Sequence, residues 1–482
     1  MNDAAPDRGT SPRPPLLLRL LQWKFVIPLL VVMVVVLSPF AYRAYVLSGL
    51  PDIGDPFDVE EFGTVELADA DNARFDYEAA LALKIPLRST SVNLSDELDT
   101  AMQDDWYSAT PVIRNWLKVN RSALDRWKLA TEKPDFLYHQ PKDVNFLTVL
   151  QLMQEFRDFA RLALLESSRL LAEGNPDEAW LWCRAVLRSS RHSGQHGTAI
   201  ERLVGASLHT MGVETLQRIS QHPNADERLH QQMLQEVQEI YTMTVKNSVM
   251  LKCEYIALRN SILDENVLKD LLQHDPYKSV EGAQYRLHRV CGIEPRLSQL
   301  VSQQYIANLL EQIDLPLKER EPRTGGIGLF ARNPKKSYWS DRLDPAEVEQ
   351  FHKKSILARQ LFSGLRHVDV ACLREETKQR AIELCLASRI YRLRNGTYPD
   401  DLEQLVQAKI IDEVPDDPFS PIGLNMHYRR DGEVISIWGI GDNGIDDGGY
   451  EIDSENGSRQ QLDIGLTLGK QPKNDSVEAK KP

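Results

Sequence analysis

The sequence predicts a mainly α-helical protein: an N-terminal transmembrane helix, a helical-hairpin domain of solenoid-like or bundle type, and a small C-terminal α+β module. Three observations lead there. Phe25–Tyr42 (FVIPLLVVMVVVLSPFAY) runs without a charge between Lys24 and Arg43. Between Asn145 and Gln221 apolar residues recur at three- and four-residue steps, the period of a helix with one buried face. Near the C-terminal end, Asp431-Gly432 separates two short runs in the manner of a two-residue hairpin turn.

The eighteen residues of the first run, at about 1.5 Å each, span roughly 27 Å, enough for a hydrocarbon core with help at the edges. Trp23 stands at one edge, and Tyr42 and Tyr45 at the other, where amphipathic rings prefer to lie. A cleaved signal peptide would carry an apolar region of about 7–15 residues ending in small residues. This run is longer and ends Ser-Pro-Phe-Ala-Tyr-Arg, so the helix is expected to be retained as a single-pass anchor. Arg8, Arg13, Arg19 and Lys24 precede it against Asp3 and Asp7, which by the positive-inside bias predicts a cytoplasmic N-terminus and an exported body.

Residues 1–24 are expected to be a cytoplasmic tail, 25–42 the membrane span and 43–71 a Gly-, Pro- and Asp-rich extended linker. Residues 72–317 form the predicted helical domain. Asn72 is a plausible cap for a helix through Ala82. Pro111–Thr131 reads as one helix with Val112, Trp116, Val119, Ala123 and Trp127 on one side. Leu152, Phe156, Phe159, Ala163 and Leu170 define a further helix that stops at Gly174. Asn175-Pro176-Asp177-Glu178 opens the next, with Ala179, Trp182 and Val186 facing inward. This hairpin is similar to the helix-turn-helix units of tetratricopeptide and related repeats, over about one unit and without a 34-residue repetition. A third helix, about Thr198–Gln221, carries Ile200, Val204, Leu208, Met211 and Ile219. Residues 318–340 interrupt the pattern as a cationic, glycine- and proline-bearing loop. Residues 341–468 hold a long helix and the α+β module, and 469–482 a charged, disordered tail.

The net charge of −13 is concentrated: Tyr398–Asp463 holds sixteen acidic residues against four basic ones. The remainder is close to neutral, which argues against nucleic acid as a partner. Five cysteines at 183, 253, 291, 372 and 385 read as small buried apolar residues, with Cys253–Cys291 the one pairing worth a test.

The long helix runs into Tyr391-Arg-Leu-Arg-Asn-Gly-Thr-Tyr-Pro399, then Asp401-Leu-Glu-Gln-Leu-Val406, then Val414-Pro-Asp-Asp-Pro-Phe419, then the hairpin. Gly441-Asp-Asn-Gly444 and Asp463-Ile464 follow in order. Over about 370–468 this resembles the globular part of type II secretion major (G-type) pseudopilins. The resemblance implies a small antiparallel sheet, a calcium-binding loop and a place near secretion machinery in a bacterial envelope. Carried over, Asp442 and Asp463 match the family's acidic calcium ligands, and Asp446, Asp447 and Asp453 are further candidates without a clear counterpart. Calcium takes six to eight hard oxygens, which an acidic, glycine-rich loop supplies. The family's Gly-Phe-Thr-Leu-x-Glu start has no match near Phe25, so the resemblance is to a fold and implies no polymerisation.

The one other metal-like spacing is His192-x3-His196, with Glu201 and His209 downstream. Ser193-Gly194-Gln195 between the histidines reads as the turn joining two helices. No G-x-S-x-G, HExxH, CxxC or Walker motif occurs. The expected function is a membrane-anchored periplasmic binding or scaffold protein, non-catalytic, with a protein partner in the envelope. The alternative is a metal-assisted hydrolase sited in the helical domain.

Overall fold

Eighteen apolar or weakly polar residues in succession offer the backbone few partners but itself, and the chain forms α1, Trp23–Leu47. In this computed structural model, residues 23–87, 94–103, 106–148, 151–264, 291–320, 364–449 and 463–469 are described, with 288, 348, 351, 355 and 358. Val26–Leu47 is long and apolar enough to cross a membrane, and none of its most apolar window is buried against protein.

The body begins with α2 (Val59–Gly63), α3 (Arg74–Leu83) and α4 (Leu94–Gln103). Asn72 bonds near the start of α3, its Oδ1 accepting from Arg74 N at 3.0 Å. The single helix expected over Pro111–Thr131 is two, α5 (Pro111–Val119) and α6 (Arg121–Thr131). They break at Asn120, whose buried amide accepts from Ile85 N at 2.7 Å and donates to Ile85 O at 2.9 Å. That break turns Ile113, Trp116 and Leu117 inward and leaves Val112 and Val119 exposed.

Then come α7 (Gln151–Ala172), α8 (Pro176–His192) and α9 (Ala199–Gln221), packed in succession. Gly174 takes a left-handed φ of 82° at the α7–α8 turn. Leu152, Phe156, Phe159, Ala163, Leu170, Ala179, Trp182 and Val186 are buried as their spacing predicts, whereas Ile200 faces out. After α10 (Glu227–Thr242) and α11 (Asn247–Leu263), α12 (Glu294–Leu310) packs on α11. The long helix α13 (Leu365–Asn395) lies against α9 and α10 and also against the sheet, and ends at Gly396 with φ 81°. A short α14 (Glu403–Gln407) leads to β1 (His427–Asp431), β2 (Val434–Gly439) and β3 (Ile464–Leu468), an antiparallel sheet in the order β1-β2-β3. Asp431 pairs with Val434, so the two-residue turn is Gly432-Glu433, one residue beyond the expected one.

Two large clusters of buried side chains hold this together. The first runs from Tyr77 through α7–α10 to Leu384, Ile437 and Leu468, taking in the helical body and the sheet alike. The second joins Val46 and Leu50 to α11, α12 and the start of α13 at Cys372. The stretch expected to be an extended linker therefore lies against the body. Tyr42 OH sits 3.4 Å from His288 Nε2, Arg43 donates to the carbonyls of Cys291 and Gly292, Arg296 pairs with Asp52, and Tyr255 donates to Asp55. All five cysteines are buried and free, Cys253 and Cys291 included. The expected tails at 1–22 and 470–482, and positions 321–340 of the expected loop, lie outside the described residues.

Candidate functional site

The acidic loop after β2 carries four of the five predicted metal residues among the described positions; Asp453 lies outside them. Asp442 turns to Arg374, with both carboxylate oxygens 2.9 Å from one guanidinium nitrogen. Asp446 accepts from Trp438 Nε1 at 2.9 Å and from Gly448 N at 3.0 Å, and lies 3.3 Å from His427 Nδ1. These donors outweigh its partial burial and lower its pKa. Asp447 accepts from Asn443 Nδ2 at 2.7 Å. Asp463, 5 % exposed, accepts from Gly449 N at 2.6 Å through Oδ2, while its buried Oδ1 has no partner. Burial raises the Asp463 pKa, and the charges of Asp446 and Asp447 add to that. The structure thus places Asp446 and Asp447 within electrostatic reach of Asp463 and directs Asp442 to Arg374. Among the described residues no three His, Cys, Asp or Glu side chains are grouped to hold a metal ion. Among the described residues of the loop, Oδ1 of Asp463 is a buried oxygen that a cation would satisfy.

The histidine set in the helical domain is divided among separate tasks. His192 ends α8 as a fully buried ring: Nε2 donates to Lys133 O at 3.0 Å, so Nδ1 accepts from the Tyr77 hydroxyl at 2.8 Å. Burial holds its pKa down at about 4. His196 pairs with Asp135 at 3.0 Å. Glu201 closes a capping box on α9, accepting from Thr198 N at 2.6 Å. His209 lies elsewhere on α9, its Nε2 2.9 Å from the Tyr241 hydroxyl.

His209 borders a site that spacing did not reveal. Where α8, α9 and α13 meet, Arg191 and Arg202 both pair with the Glu375 carboxylate, the second at 2.5 Å, and all three side chains are at least nine-tenths buried. His209 Nδ1 stands 4.0 Å from Glu375 and has no hydrogen-bond partner. Burial penalises the Glu375 carboxylate, but the two guanidinium groups outweigh it and hold its pKa down at about 2. His209 is held neutral by burial and by Arg191, at about 3. Burial likewise pushes the Cys372 thiol up to about 11. Arg191, Arg202, Cys372 and Glu375 line a cleft of about 470 Å³, walled also by the turn before α11, residues 313–320 and the Asp416–Ser420 loop.

Two glycines bring the arginines together. A Cβ on Gly205 would lie 2.6 Å from the carbonyl oxygens of Ser190 and Ser193, and one on Gly212 2.6 Å from Leu187 Cδ2. With hydrogen in those places, α9 lies close enough to α8 for Arg191 and Arg202 to share one carboxylate. The sequence signal is faint: Glu375 falls among the inward positions of α13, and Arg191 and Arg202 take inward positions of their own helices. No family model, no curated protein and no solved structure matches this chain.

Proposed function

We propose that the chain is a membrane-anchored binding or scaffold protein of the bacterial envelope, non-catalytic, with its N-terminus in the cytoplasm and its body in the periplasm. The observation that carries this reading is α1, whose apolar surface is uncovered by protein while its last turns are built into the second core. The four cations against two acids before the helix support the orientation. A partner in the envelope, linked to secretion, follows from the resemblance of the C-terminal module. The alternative is a metal-assisted hydrolase sited in the helical domain; the separate bonds of His192, His196, Glu201 and His209 favour the binding or scaffold reading over it.

Calcium is proposed for the loop at Asp463, with Asp446 and Asp447 as the nearest further carboxylates, Asp442 after release from Arg374, and Asp453 as the remaining candidate. It would supply charge neutralisation and rigidity at the end of the sheet. The orientation is tested with alkaline phosphatase fused after Pro482: active fusions that stay with membranes after carbonate washing are expected. Cytosolic reporters, or a freely soluble chain, overturn the reading. For the ion, calcium should raise the melting temperature, a chelator should reverse it, and Asp463→Asn should remove the response.

A further inference from the structure

The second core fixes which end of the body meets the end of α1. Arg43, the first residue past the apolar run, donates to the carbonyls of Cys291 and Gly292, just before α12. From there the chain climbs beside α12: Asp52 pairs with Arg296, and Gln304 donates to Pro51 O at 3.2 Å. α12 therefore rises away from the end of α1, and α11 runs the other way. Ser248 N, at the start of α11, donates to Asp314 past the end of α12 at 2.9 Å, while the last residues of α11 lie beside Gln299 and Ser302. The C-terminal end of α11 is the end turned back toward the anchor.

That end is apolar and uncovered. Leu263, its last residue, is 65 % exposed, and Ile262 is half-buried. Leu258, Ile262 and Leu263 line a shallow slot that faces Gln299 and Ser302. Residues 142–147 come alongside: Asn260 Nδ2 donates to Lys142 O at 2.8 Å and to Val144 O at 2.9 Å, and Phe146 N donates to Ser261 Oγ at 2.9 Å. These bonds bring exposed Leu147 to the same tip. Gln299 stands five residues up α12 from Glu294. At 1.5 Å per residue that is about 8 Å, the depth to which an interfacial apolar face sinks into a headgroup layer.

We propose that this tip, Leu147 with Ile262 and Leu263, rests in the headgroup layer of the bilayer that α1 enters, as a second membrane contact. The contact rests on the reading of α1 as a membrane span, and adds to it that the body is held at a fixed tilt. The occupant is lipid because the most apolar window of α1 has no protein around it, so a bilayer around α1 lies directly below the tip. Exposed Asp143 and Asp264 flank the leucines, so the contact gains by burying hydrocarbon and not by attracting anionic headgroups.

The five native cysteines are buried, so a thiol-reactive bimane reports an introduced surface cysteine. Four variants of the full chain are labelled in detergent and placed in phosphatidylcholine vesicles: Leu263→Cys, Leu147→Cys, Val34→Cys within α1, and Lys246→Cys at the far end of α11. A nitroxide on the lipid headgroup should quench the bimane at 263 and 147 and find its emission shifted to the blue. A nitroxide deep in the acyl chain should quench it at 34, and position 246 should respond to neither. Added sodium chloride should leave the quenching unchanged. Quenching at 34 with none at 263 or 147 overturns the tip contact and leaves the span standing. No quenching at 34 overturns the span and the contact that rests on it. A blue shift at 263 or 147 without quenching means that protein covers the tip, and equal quenching at 246 means that the body has no fixed tilt; either result overturns the proposal. Both leucines are exposed, so neither substitution should alter melting in detergent; should one variant fail to fold, the other decides.

Discussion

Two glutamates, buried Glu375 and half-buried Glu254, resolve the cost of removing a carboxylate from water in opposite ways. Glu375 keeps its charge because two guanidinium groups face it, and its pKa falls to about 2. Glu254 has Ala199 N as its donor at 2.7 Å and Glu201 as a like-charged neighbour, and burial pushes its pKa up to about 7. The consequences for stability have opposite signs. The folded-state pKa of Glu375 is depressed, so its contribution is present above the ordinary value of 4.5 and is lost as pH falls towards 2. The pKa of Glu254 is raised, so the folded state retains a proton that the unfolded chain releases, and stability declines as pH rises from 4.5 to about 7. Across that window the slope is about 1.4 kcal/mol per pH unit for one such group. Glu254→Gln, which keeps the acceptor for Ala199 N, should flatten this limb and raise stability above pH 7 by about 2–3 kcal/mol. Urea midpoints measured from pH 4 to 8 check it; an unchanged slope in the variant would assign the pH dependence to other groups.

At the scale of helices, the α8–α9 pair shows what spacing can and cannot reveal. Gly174, Pro176 and the three-four rhythm of Leu152 to Val186 locate the α7–α8 hairpin, because each signal is local. The break at Asn120 is not local: it depends on the Ile85 backbone arriving to bond the amide, so a continuous apolar stripe reads as one helix. The floor of the cleft is farther still from legibility, since Arg191 and Glu375 are 184 residues apart. Gly205 sets how closely α9 approaches α8. In an exposed helix, replacing glycine by alanine stabilises by about 1 kcal/mol. Here the added methyl would stand 2.6 Å from two backbone carbonyl oxygens, which cannot turn aside. Overpacking of this kind costs about 1–3 kcal/mol, so the sign reverses. Gly205→Ala should lower the urea midpoint by parting α9 from α8. A stabilised variant would mean that the helices separate freely and that their close approach does not set the cleft.

Over the whole molecule, α13 belongs to both large cores: Cys372 lies in the one that receives the end of α1, and Leu384 in the one that holds the sheet. The cleft opens between these two parts of the helix, at Cys372–Arg380. An extended tether over residues 43–71 would leave the body indifferent to its anchor. The packing instead makes the anchor's last turns part of the fold, through buried Val46 and Leu50, half-buried Tyr42 and Leu47, and Arg43 on the carbonyls of Cys291 and Gly292. Each buried apolar side chain of this size contributes about 1.5–3 kcal/mol when fully removed from water. Deleting residues 1–47 should therefore lower the melting temperature of the body, whereas a tether predicts no change. The loss should be uneven. Amide exchange should accelerate along α12, which packs in the second core, while α7 and α8 retain their protection in the first. Val46→Ala in the full chain should act in the same direction to a smaller degree, by about 1–2 kcal/mol. Identical melting and exchange in the truncated and full chains would reduce the anchor to a tether, and with it remove any mechanical route from the proposed membrane span to the floor of the cleft.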